Sequence, residues 1–354
     1  MNPARTAQFR WTRVSVAVAC ALAVACSPGG RRLPPEATPS PPATSAGAVA
    51  TAGAVPAAGL TWERLTPALS ARTEVTATSD GERILVVGGF DEDGGTVPRV
   101  EIYDPQRRTW ERGPDLPVGV NHATSTTVEG TVYVLGGYIG PGLTRPTERA
   151  FALREGRWHE LPAMPEARAA AGAAAQDGRV YVAGGVGPGG LADRTLIFDP
   201  RTARWSTAAG PPTPREHLGV AAAGGRLFVV GGRTGGIGTN LAAVESYEPA
   251  SDHWSRLADL PTPRGGIAAA ATSNGFIVVP GGEERGGTFE EVEAFDTVAG
   301  RWLTLAPLPT PRHGLGVAAV GTVVYVIAGG PEPGYAFSPA NEALDLQPLR
   351  PTGH

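Results

Sequence analysis

Arg179-Val180-Tyr181-Val182-Ala183-Gly184-Gly185 is a short apolar run closed by two glycines, and the same pattern returns along the chain. The glycine pairs are Gly88-Gly89, Gly136-Gly137, Gly184-Gly185, Gly231-Gly232, Gly281-Gly282 and Gly329-Gly330, with successive spacings of 48, 48, 47, 50 and 48 residues. A second register follows, with Trp62, Trp110, Trp158, Trp205, Trp254 and Trp302 spaced by 48, 48, 47, 49 and 48 residues. Fixed periods of this length mark supersecondary units that bury their apolar faces against one another.

Between each glycine pair and the next tryptophan, most copies carry a strand that ends in an aromatic and an acid. Examples are Val100-Glu101-Ile102-Tyr103-Asp104, Ile197-Phe198-Asp199, Val244-Glu245-Ser246-Tyr247-Glu248 and Val292-Glu293-Ala294-Phe295-Asp296. The third copy divides into strand a over residues 168–176, strand b over 179–183, strand c over 194–198 and strand d over 204–208. Asp177-Gly178 between the first two is a two-residue hairpin turn. Strand a is rich in Ala and Gly because innermost strands converge on an axis. The glycine pairs suit unusual φ angles and close backbone approach, and each tryptophan offers a broad apolar face to pack between units.

These features over residues 61–346 resemble the kelch repeat. The resemblance implies an all-β, six-bladed propeller of four-stranded blades. The two registers are offset, since Trp62 precedes the first glycine pair and no tryptophan follows the last. The ring therefore closes with a mixed blade: an N-terminal outer strand over residues 61–65 completes three inner strands from the C-terminal segment 314–346, which removes a free edge. The expected organisation is a signal peptide over 1–25, a stalk over 26–59, the propeller over 60–348 and a tail over 349–354.

The chain has 49 Gly and 34 Pro and no Lys, so Schiff-base chemistry and P-loop phosphate binding are excluded. Its cysteines, Cys20 and Cys26, both precede the repeats, which leaves the folded part without a disulfide or a thiolate. That also excludes the cross-linked Tyr–Cys copper site of galactose oxidase, another protein with kelch blades. The formal charge falls from −4 to about −7 without Arg5, Arg10 and Arg13, which argues against nucleic acid as a partner.

Those arginines precede an apolar run over residues 14–25 that is too short to span a bilayer and reads as an export signal. It ends in Leu22-Ala23-Val24-Ala25-Cys26-Ser27, which resembles the bacterial lipobox, although Ala23 stands where that motif usually has Leu. The resemblance implies that Cys26 is acylated and anchors an exported protein in the cell envelope, with cleavage near Ala25 and release as the alternative. The Pro-, Ala- and Thr-rich stretch up to residue 59 lacks the apolar residues a core needs and is expected to be a disordered stalk.

Turns from d to a and from b to c emerge on one face, the expected binding surface. The repeat delivers Arg72, Arg168, Arg215, Arg264 and Arg312 to the start of strand a, with Val120 in the second copy. In kelch proteins such arginines can stand around the channel mouth and hold a carboxylate or phosphate. Alternatively, they cap carbonyls and pair with blade acids. Asn121, His122, Glu216, His217 and His313 break the repeat beside them. These residues either line a wetted channel or do acid–base or metal chemistry, with Glu216 and His217 the catalytic candidates. The acidic tip Asp91-Glu92-Asp93 lacks the alternating oxygen pattern of a calcium loop, and neither a metal site nor a cofactor is assigned.

The expected role is an envelope-anchored monomer whose loop face binds a protein, a peptide or an acidic glycan, and which meets the membrane only through its lipid. Kelch resemblance also implies an enzymatic alternative, a sugar mutarotase or epimerase of the sialic acid mutarotase kind.

Overall fold

The computed structural model describes residues 55–57 and 59–351. The expected signal peptide, Cys26 and most of the expected stalk lie outside the described residues.

Six blades stand in chain order, each built on four antiparallel strands; blade 5 gains a fifth, parallel strand, and blade 6 takes its outer strand from the N-terminal side. The third is representative: strand a Gly172–Gln176, strand b Arg179–Ala183, strand c Arg194–Asp199 and strand d Arg204–Ala209. Asp177 and Gly178 both take positive φ, 51° and 69°, which matches the twist of the hairpin they join. Side chains alternate across each blade. In blade 1, Ile84, Val86 and Tyr103 pack on blade 6, while Leu85, Val87, Val100 and Ile102 pack on blade 2. The core is accordingly divided into six apolar clusters, one at each blade interface. The a strands line the channel with Ala, Thr and Val.

The closure is of the expected kind. Strand d of the sixth blade is Glu63–Arg64, paired antiparallel with Asn341–Asp345. Every repeat tryptophan donates its Nε1 proton to a carbonyl of the preceding blade: Trp110 to Thr66, Trp158 to Pro114, Trp205 to Pro162, Trp254 to Ala209 and Trp302 to Ala258, at 2.7–3.0 Å. Trp62 completes the belt across the closure by donating to Ala306 O at 2.9 Å.

The glycine pairs are required by a second interblade contact. The second glycine donates its N–H to the first residue of the next blade, as from Gly137 to Arg168 O at 2.7 Å. A Cβ on the first would sit 2.1 Å from that same carbonyl. Blade 6 corrects the expected register by one residue. There Gly329 donates to Arg72 O, and Ala328, with φ 57°, occupies the first position, so Gly330 lies beyond the pair. Three small residues in a row conceal this shift.

Both domain limits also move. Val55–Pro56, expected in the stalk, pairs in parallel with Leu303 and Thr304 of blade 5. At the other end, Leu349, assigned to the tail, packs on the cluster between blades 5 and 6.

Candidate functional site

The five arginines do not stand around the channel mouth. Arg72, Arg168, Arg215, Arg264 and Arg312 are among the most deeply buried side chains of the molecule. Arg215 pairs with Glu245 at 2.6 Å and donates to Thr213 O and Val229 O. Arg312 does the same with Glu342, Thr310 O and Val326 O. Arg264 meets Glu293, and Arg72 meets Glu101 at 3.2 Å. Burial lowers the pKa of these guanidinium groups against the pull of their acids. Arg168, whose blade has Leu196 in place of the glutamate, turns to Glu166 at 3.1 Å. A group enclosed by its own blade cannot meet a ligand, so the ligand-binding reading of these five is corrected to a structural one.

Two residues beyond that position, the chain makes a collar across the channel from Glu74, His122, Ala170, His217, Gly266 and Gly314. All six have φ between 50° and 69°. Each hands a backbone hydrogen bond to the next: His122 N to Glu74 O, Ala170 N to His122 O, His217 N to Ala170 O, Gly266 N to His217 O and Gly314 N to Gly266 O, at 2.9–3.1 Å. Val75 N to Gly314 O at 3.3 Å closes the circle. Left-handed backbone suits Gly266 and Gly314 and strains the other four. Gly314 is also needed for space, because a Cβ there would meet the Glu74 carboxyl at 2.7 Å.

Around the collar the irregular residues meet. His122 Nε2 lies 3.1 Å from Glu74 Oε2, and the His122 and His217 rings stand edge to face at 4.8 Å. His217 Nδ1 lies 2.9 Å from Glu216 Oε2. Arg233 bridges Glu216 and Glu283 at 3.2 and 2.8 Å. His313 Nδ1 faces Glu74 Oε1 at 3.3 Å and Glu283 Oε2 at 3.5 Å. Asn121, His122, Glu216, His217 and His313 are therefore brought together, where sequence reasoning left their meeting open. Glu74, Arg233 and Glu283 were missed. Each carried a signal: Glu74 shares the repeat register of His122 and His217, and the other two directly follow a glycine pair.

Burial pushes His122 down to about 4 despite the neighbouring Glu74, so its ring is neutral near pH 7. Burial also opposes charge on His313, but Glu74 and Glu283 outweigh it and raise its pKa. Glu74 is held well below the usual carboxylate range: burial works against its charge, and His122, His313 and His217 favour it.

Above the collar a cavity of about 120 Å³ has this polar floor and a rim of Phe90, Leu143, Ile237 and Tyr335. Below it a smaller cavity of about 90 Å³ leads into the channel. Tyr335 packs against Phe90 with ring centroids 5.1 Å apart, and Tyr335 and Leu143 are exposed. The rim residues come from b-to-c loops, and the backbone hydrogen bonds of the collar fix the floor.

A model of the KLHDC2/KLHL20/DRC7 kelch-repeats domain matches residues 122–330, more than half of the chain, and a kelch-motif model matches residues 71–117. The chain belongs to the kelch-repeat family. Kelch-like protein 36 of Mus musculus and that of Rattus norvegicus are each 37% identical over 57 residues. Those matches cover 16% of this chain and only 9% of either relative. The solved structure of YjhT superposes with a TM-score of 0.69 at 18% identity, covering 81% of this chain and 99% of that one. At that identity the kelch chain shares a fold with YjhT, a propeller of the same kind.

Proposed function

We propose that this kelch propeller is an exported, lipid-anchored binding module that takes a small extracytoplasmic ligand, a glycan unit in first place, in the pocket above the collar. The observation that carries the reading is the pairing of an aromatic and aliphatic rim with a floor of buried, fixed hydrogen-bonding groups, the usual make-up of a small-molecule site. The floor holds Glu74 and Glu283 beside Arg233, whose guanidinium is taken up by Glu283 and by Glu216 next to the pocket. With the repeat arginines enclosed in the blades, a neutral or cationic ligand suits this floor better than the acidic glycan the sequence suggested.

A thermal-shift screen of the purified protein against neutral, amino and acidic sugars tests this. A ligand at 100 times its Kd stabilises the fold by about 2.7 kcal/mol. The expected result is a shift with a neutral or amino sugar that disappears in Tyr335→Ala and Phe90→Ala. A shift with acidic sugars alone would overturn the charge argument, and a shift that survives both substitutions would overturn the pocket.

The enzymatic reading is favoured by one observation: His122 is pushed toward the neutral form and His313 toward the charged form in the same pocket. Groups whose pKa values are driven apart suit general base and general acid, the pair a sugar mutarotase needs. Magnetisation transfer between the anomers of any sugar that shifts the melt separates the two. Exchange faster than in buffer, and lost in His313→Asn, supports the mutarotase, whereas an unchanged rate supports binding alone.

A further inference from the structure

We propose that the collar is a metal site in which Glu74, His122 and His217 hold one divalent transition-metal ion of the zinc class, with an open coordination position facing the pocket above. The inference stands apart from the identity of the pocket's ligand, and it takes the free nitrogen of His122 away from the general-base role of the mutarotase reading. One ligand atom from each of the three residues lies within 4.8 Å of the others, and all three side chains are buried or nearly so. Two imidazoles and a carboxylate form a donor set that suits zinc, iron(II) and their neighbours, and three protein ligands leave room for a water or a substrate atom.

Hydrogen bonds fix which nitrogen of His122 is available. Thr96 Oγ1 donates to Gly140 O at 2.7 Å and so can only accept from Asn121 Nδ2, at 2.8 Å. That orientation turns Asn121 Oδ1 toward His122 Nδ1 at 2.7 Å, and this nitrogen must carry the proton. His122 Nε2 then presents a lone pair 3.1 Å from Glu74 Oε2, which presents lone pairs as well. The gap between them is one that a proton or a metal ion can bridge.

His217 is placed beside it. Its Nδ1 lies 2.9 Å from Oε2 of the preceding residue, Glu216, and neither of its buried ring nitrogens has a hydrogen-bond partner among the described residues. Outer partners of this type orient metal-bound histidines and fix their tautomer. Ligand atoms of a tetrahedral zinc with bonds of 2.0–2.1 Å are about 3.4 Å apart, close to the 3.1 Å between Glu74 and His122, and binding would draw together the three atoms that now lie within 4.8 Å of one another. Glu74, His122 and His217 occupy left-handed backbone positions where blades 5 and 6 place glycine and blade 3 places Ala170.

The same glycines supply the test. His122→Gly, His217→Gly and Glu74→Gly each install the residue that other blades use in the collar, so the fold survives. Protein stripped with chelator is titrated with zinc chloride by calorimetry, and with cobalt(II) chloride by visible absorption. The expected result is one ion per chain, an intense cobalt d–d band, and at least about a hundredfold loss of affinity in each glycine variant, with about tenfold in Asn121→Ala. His159→Ala and His253→Ala, on exposed outer strands, should leave binding unchanged. Absence of stoichiometric binding would overturn the site, and so would binding that persists in His217→Gly.

Discussion

At the scale of single residues, the buried arginines show how a repeat stores and dispenses with charge. A buried ion pair is a poor source of net stability, yet removing one partner strands the other in a medium that cannot solvate it. Blades 1, 4, 5 and 6 each keep both members, as in Arg264 with Glu293. Blade 2 has neither: Val120 replaces the arginine, and Phe151 stands at the register of the glutamate, opposite the penultimate residue of strand b. Both are packed in the cluster between blades 1 and 2. Arg264→Val alone should therefore cost about 3–5 kcal/mol in urea unfolding. Arg264→Val combined with Glu293→Phe, the blade 2 pair, should recover most of it. A double variant less stable than the single one would show that the guanidinium does more than satisfy its own blade.

At the scale of elements, the outermost strand of blade 6 is two residues long, yet Trp62 stands directly before it. The indole packs on the cluster between blades 5 and 6 and bonds to Ala306 O. Losing a packed tryptophan costs about 3–5 kcal/mol, and a domain of this size shifts by about 2–4 °C per kcal/mol. Deleting residues 61–66 should thus lower the melting temperature by roughly 10 °C, and an unchanged melt would mean the ring closes by other contacts. These elements were legible because glycine and tryptophan each serve a contact between blades, so the contact recurs wherever a blade does. The collar was only partly legible. Its members are single residues 48 and 95 positions apart, and nothing in either neighbourhood says that they meet until six blades bring them to one axis. The arginines misled for a related reason: the repeat gives their place in the blade and not the direction of the side chain, and here that direction is inward to Glu and backbone carbonyls.

At the scale of the whole molecule, the proposed anchor and the pocket bear on each other. A triacylated Cys26 would hold the chain firmly, since two or more acyl chains bind a bilayer stably where one is marginal. A bilayer-tethered pocket samples ligands near the envelope surface, which fits a glycan better than a metabolite of the cell interior. The anchor is tested by expressing the full chain in a bacterium with lipoprotein processing and separating detergent from aqueous phases. The unaltered protein should enter the detergent phase and label with palmitate, and Cys26→Ser should move it to the aqueous phase with its melting temperature unchanged. Detergent partitioning that survives Cys26→Ser would mean an uncleaved signal sequence holds the protein, and partitioning of the unaltered chain into water would mean that the propeller is released.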